Sequence, residues 1–103
     1  MDRIGALRQL LEAQPSNVFA RYGLAQEYAK RGEDGRAMEE FAQVLRLDAD
    51  YQAAYFHAGK ALERLHRPAK ARDMYERGIQ ASFRTGDVHA RAELEEALTA
   101  VSA

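Results

Sequence analysis

Shifting the chain against itself by 34 residues, so that residue 20 falls on residue 54, brings like residues onto like over most of its length. Ala20-Arg21-Tyr22 falls on Ala54-Tyr55-Phe56, Ala25 on Gly59, and Gly32 on His66. Further along, Ala37 falls on Ala71, Phe41 on Tyr75 and Leu45 on Ile79. The N-terminal stretch joins the same frame, with Leu7, Leu10, Leu11 and Pro15 one period before Phe41, Val44, Leu45 and Ala49. After a two-residue insertion, Val88-His89-Ala90-Arg91-Ala92-Glu93-Leu94 echoes Val18-Phe19-Ala20-Arg21-Tyr22-Gly23-Leu24. A unit this short cannot bury its own apolar face, so its copies must stack on one another.

Inside each unit the apolar spacing is helical: Leu24, Ala25 and Tyr28 share one face, as do Met38, Phe41, Val44 and Leu45. β-branched residues are scarce and no segment alternates like a strand, which makes the chain all-α. Asp34 and Asp50 are placed to cap helix N-termini, as are Asp87 and either Ser16 or Asn17. Pro68 suits a first helical turn, where its missing N–H leaves nothing unpaired. Six helices are predicted at about 2–14, 17–31, 35–48, 51–65, 68–82 and 87–101. Ala25, Gly59, Ala37 and Ala71 carry almost no side chain, so helices cross closely there, and Phe41 and Tyr75 fill the space beside each crossing.

These positions resemble the tetratricopeptide repeat family. Leu24, Ala25, Tyr28, Gly32, Ala37, Phe41 and Leu47-Asp48 look like one repeat, and Tyr55, Gly59, Leu62, Ala71, Tyr75 and Ile79 like a second. The resemblance divides a single domain into an N-terminal half-repeat helix (1–15), repeat one (17–49), repeat two (51–83) and a capping helix (87–101). It implies a right-handed superhelical α-solenoid of antiparallel helix pairs. Four positions depart from the pattern: Arg21 stands for a large aromatic, Ala49 and Phe83 for a proline after the second helix, and His66 for the glycine between helices.

The resemblance also implies a function, the binding of another protein's peptide or helix on the concave face. That face is built mainly from the first helix of each pair. The residues a turn apart on it are Phe19, Tyr22, Gln26 and Lys30, then Ala53, Phe56, His57, Lys60 and Arg64, then His89, Ala92 and Glu96. Tyr22 and Phe56 are the expected apolar anchors, with Phe19 beside them. Gln26 is expected to bond a peptide amide, and Lys60 and Arg64, with Lys30 nearby, to receive an acidic group. The alternative is that the aromatics pack between helices and the cations merely solvate the surface. Some members of the family hold a C-terminal carboxylate in a clamp of lysines, asparagines and an arginine. Here the matching places hold Tyr22, Gln26, His57, His89 and Glu93, and Glu93 has the wrong sign for that task.

Other chemistries find little footing. There is no cysteine, so no thiolate or sulfur-ligated metal. His57, His66 and His89 have no metal-ligand spacing, and His89 with Glu93 at i, i+4 makes two ligands only. Ser16, Ser82 and Ser102 fall in predicted loops or the tail without a base nearby, and no phosphate-binding glycine loop follows a strand. Carboxylates that could suggest an acid–base pair are spaced to meet arginines on their own helices: Arg36 with Glu40, Glu63 with Arg67, Asp73 with Arg77, Arg72 with Glu76, Arg91 with Glu95. No catalytic residue, metal or cofactor is therefore expected. The 15 basic and 16 acidic groups give a net charge of −1 and no basic stripe, so no nucleic-acid partner is expected. Met1-Asp2-Arg3 leads straight into an amphipathic pattern and no apolar run approaches membrane-spanning length, so a cytoplasmic protein without a membrane contact is expected.

A second reading concerns self-association. The first helix lacks a helix before it, so Leu7 and Leu10 point toward an absent neighbour, while Ile4 and Leu11 pack on the next repeat. A second copy of the chain would cover that strip and give a homodimer; the alternative is a small rotation of the first helix that tucks both leucines in.

Overall fold

A computed structural model describes residues 2–103 as six helices: α1 (Arg3–Ala13), α2 (Val18–Lys30), α3 (Asp34–Leu47), α4 (Gln52–Arg64), α5 (Pro68–Thr85) and α6 (Val88–Ser102). Each helix packs on the next. In addition α2 touches α4 and α4 touches α6, whereas no two of α1, α3 and α5 bring their backbones together. The stack is therefore tight along one side and splayed along the other, and it curves around the α2–α4–α6 layer. Its extents, 42 × 29 × 18 Å, are those of a thin slab.

The crossings are held close by the small residues of the repeat. Ala25, Ala37, Ala54, Ala58 and Ala71 are fully buried, and Phe41 and Tyr75 lie wholly inside beside them. At Gly59 a Cβ would fall 2.1 Å from Tyr75 Cε1, and at Gly78 one would fall 2.7 Å from Tyr55 Cβ. Real side chains do not approach so closely, so these two glycines set the α4–α5 spacing. Leu94 and Ala97 of α6 close the far end of the core.

The helix starts follow the sequence in part. The Asn17 side chain accepts from Ala20 N–H at 3.0 Å and Asp87 from Ala90 N–H at 2.9 Å, so both cap as expected. Asp2 caps α1, accepting from Gly5 N–H at 2.8 Å. Asp34 and Asp50 do not cap. The N-caps of α3 and α4 are Glu33 and Tyr51, neither with a side-chain bond. Asp34 already lies inside the first turn and Asp50 one residue too early, and their carboxylates instead take Arg64 Nε and Arg84 Nε, each at 2.9 Å. Asp73 with Arg77 and Arg91 with Glu95 pair as expected, both at 3.8 Å. Arg36 is found instead beside Glu33, and Glu40 takes Arg21.

The four departures from the repeat pattern have distinct outcomes. His66 keeps the left-handed backbone of its glycine counterpart: φ is 59° there and 76° at Gly32. Ala49 lies within an Asx turn in which the Asp48 side chain accepts from Asp50 N–H at 3.0 Å, which ends α3 without proline. At Phe83 nothing stops the helix. It runs to Thr85, ends on left-handed Gly86, and so absorbs the insertion. Ser82, expected in a loop, is therefore a buried helical residue whose hydroxyl donates to Ile79 O at 2.6 Å. Arg21 turns its guanidinium between helices, donating to Glu40 Oε1 and to Pro15 O at 3.1 Å each.

Candidate functional site

The inner layer carries a row of rings. Phe19 meets Tyr51 edge-on at 6.2 Å, and Tyr51 meets Tyr22 at 4.9 Å. From Tyr22 the row passes to His57 at 6.1 Å, and from His57 to Phe56 at 5.2 Å. The row is rooted in the core, because Tyr22 also touches Phe41 and Phe56 touches Tyr75. The three rings expected on this face thus differ in how deeply they are set. Tyr22 and Phe56 are half-buried, with one side against the core and one toward the trough, while Phe19 is 76% exposed.

Tyr51 is the member that sequence reasoning misses. It is the N-cap of α4 rather than a helical residue, so face arithmetic does not place it, yet it joins Phe19 to Tyr22. Burial, followed by the neighbouring Tyr51, pushes the Tyr22 phenol up to about 12. It stays protonated at neutral pH and accepts a hydrogen bond from Gln26 Nε2 at 2.9 Å. Burial first, and then the charge of Arg64, hold His57 below the usual histidine value against an opposing pull from Glu93. It is a neutral, half-buried ring.

The three cations of this face do not form a free cluster. Arg64 Nε is bound to Asp34 Oδ1 at 2.9 Å. Lys60 Nζ lies 3.8 Å from Glu63 Oε2 and 5.4 Å above the Phe56 ring. Lys30 Nζ lies 3.5 Å from Glu27 Oε1 on an exposed side chain. Each expected receptor for an acidic group therefore already faces a carboxylate of its own chain.

Beside the rings, between the α3–α4 loop and the first turns of α4 and α6, opens a groove of about 620 Å³. Tyr51, Phe56 and His57 form one wall, and the small side chains of Ala53 and Ala90 leave the space open. Asp48, Asp50, Asp87 and Glu93 reach into it, and among the described residues no lysine or arginine does. The extended end of α5 braces this region: Arg84 holds Asp50 and donates to Ala49 O at 3.4 Å, and Gln52 donates to the Thr85 hydroxyl. A narrower groove of about 160 Å³ shares Phe56 and Glu93 with the first and runs on to Lys60, Ala97 and Ala100.

At the first helix, Leu7 and Leu10 part company. Leu7 is half-buried against α2, where its Cδ atoms would lie 3.6 and 3.7 Å from a Cβ at Gly23. Leu10 alone remains outside, 38% exposed. The apolar strip expected of the pair is reduced to one residue. Among the described residues no group of three or more His, Asp or Glu is placed to hold a metal ion, and no helix is long and apolar enough to cross a membrane.

A curved stack of helix pairs with a ring-lined trough on its inner layer defines a helical-repeat scaffold. The tetratricopeptide repeat family model matches residues 1–65, and the chain belongs to that family. A tetratricopeptide repeat domain protein from Salinibacter ruber is 37% identical, over 84% of this chain and 88% of its own, with a TM-score of 0.78. Protein BPP2914 from Bordetella parapertussis is 25% identical over 99% of this chain and 89% of its own, with a TM-score of 0.85. The first such domain of Spaghetti, solved with the HSP90 peptide SRMEEVD, shares the fold at 22% identity and a TM-score of 0.78, over 97% of this chain and 78% of its own. No curated protein matches the chain.

Proposed function

We propose that this protein is an interaction module that holds a segment of a partner protein in its trough. Phe19, Tyr22, Gln26, Lys30, Phe56, His57, Lys60 and Arg64 form the contact surface in this reading. The observation that carries it is the continuous row from Phe19 through Tyr51, Tyr22 and His57 to Phe56, of which Tyr51, His57 and Phe56 line the 620 Å³ groove. Tyr22 and Phe56 are suited to be anchors because the core already fixes them, so little side-chain freedom is left to lose on binding. Aromatic residues placed this way supply the strongest contacts of protein interfaces.

The fold neighbour solved with an acidic peptide does not transfer its ligand. Lys60 and Arg64 already face Glu63 and Asp34, and the places matching the family's carboxylate clamp include Glu93. An acidic tail is a poor occupant on both counts.

Affinity capture with the native protein, Tyr22→Ala and Lys60→Glu tests the assignment. Tyr22→Ala should lose bound protein with no change in its own molecular mass, and Lys60→Glu should change the set retained. Unaltered retention by both variants would end the trough assignment. Self-association through α1 has less support, since Leu10 is its one exposed leucine. A strict monomer at high micromolar concentration removes it.

A further inference from the structure

Resting on the reading that the trough is the working surface, we propose that its α4–α6 groove takes a partner segment presenting a cationic side chain next to an apolar one. The sign is the reverse of what the cations on this face suggest from sequence. Four carboxylates from three separate segments, Asp48 and Asp50, Asp87, and Glu93, converge on one groove. The whole chain is only one charge from neutral, so this is a local concentration of negative charge.

Those carboxylates are unevenly satisfied. Asp50 is paired with Arg84, which stands outside the groove, and Asp87 is engaged as the α6 cap. Asp48 accepts one backbone N–H and, among the described residues, has no cation beside it. Glu93 has His89 alone at 3.5 Å, on a side chain 89% exposed. A guanidinium or ammonium group entering here gains these two carboxylates while Tyr51 and Phe56 offer ring faces for it to lie against. A concave wall also concentrates the field of like charges, which draws in the opposite sign and repels an acidic segment.

The apolar part of the segment has its own place. The groove continues past Phe56 and Glu93 to Ala97 and Ala100, whose short side chains leave room for a leucine-sized group beside Phe56. Lys60 stands at that far end, facing Glu63 and above Phe56, and does not neutralise the Asp48 end.

Three short blocked peptides test the inference by amide-shift titration of the isotopically labelled protein. They share one leucine-bearing frame and carry arginine, glutamine or glutamate at the same two positions. The arginine peptide is expected to shift residues at Asp48, Tyr51 and Glu93 and to bind about tenfold more tightly than the glutamate peptide, with the difference shrinking in high salt. Glu93→Lys lies on an exposed helical face and should keep the fold while abolishing the arginine preference. Asp48→Asn, with its Asx turn retained, should reduce that preference. Equal or tighter binding of the glutamate peptide at these residues overturns the cationic occupant and leaves the trough reading standing. Shifts confined to other surfaces, or no shift from any of the three, overturn both. A doubled molecular mass that shields these residues from every peptide assigns the groove to a second copy and overturns it as well.

Discussion

Tyr75 lies against Gly59 so closely that any Cβ at position 59 would fall 2.1 Å from its ring. The ring is wholly buried, and its hydroxyl donates to Glu63. One period earlier the same places hold Ala25 and Phe41, a slightly larger helix residue against a ring without the hydroxyl. Gly59→Ala is therefore expected to destabilise by about 1–3 kcal/mol through overpacking. Gly35→Ala, in α3 with nothing within 4 Å of its Cβ position, should instead gain up to about 1 kcal/mol from helix propensity. Urea unfolding of both variants checks the contrast. Equal effects would mean that the ring does not set the spacing.

His66 is held at φ 59°, where an L side chain crowds the backbone. Its counterpart Gly32 meets no such crowding. His66→Gly should raise stability by about 1 kcal/mol, and Gly32→His should lower it by a similar amount. A shift in thermal midpoint of the opposite sign in either variant would remove the strain assignment.

The pH dependence should carry the signature of His57. Burial and Arg64 depress its pKa in the folded state, so between the two values the unfolded chain binds the extra proton. Stability is then fully present above the ordinary histidine value of about 6.5 and declines as pH falls below it. His57→Gln should flatten this acid slope in denaturant midpoints measured from neutral to mildly acidic pH. An unchanged slope would assign the dependence to other groups.

Asp87 stitches the start of α6, and with it one wall of the groove. Asp87→Ala should destabilise by about 1 kcal/mol through loss of the cap. Hydrogen exchange should quicken first at Ala90 and its neighbours, while amides of α2 and α3 stay as protected as before.

What the sequence discloses and what it hides divide along physical lines. The repeat is legible because close crossings record themselves as side-chain size: Ala25 and Gly59, Ala37 and Ala71 recur in step and are buried in the structure. Asn17 and Asp87 are legible because a cap needs only its own next turn. Asp34 and Asp50 mislead because the competing arginines stand 30 and 34 residues away. Arg64 looks free for the same reason, since Asp34 holds it from another element, whereas Lys30 and Lys60 face Glu27 and Glu63 of their own helices. The acid-lined groove is assembled from the α3–α4 loop, Asp87 and α6, so no linear pattern announces it. Its one sequence hint is Glu93, standing where the family's clamp calls for an amide or a cation.

The contact pattern of α1 bears on how the molecule comes apart. It leans on α2 alone, whereas α5 is clasped between α4 and α6. In a stack whose cohesion is summed over adjoining pairs, the lightly held end peels away first. No residue of α1 lines the acid-lined recess, so a loosening of that helix under heat or denaturant is expected to leave the recess in its shape.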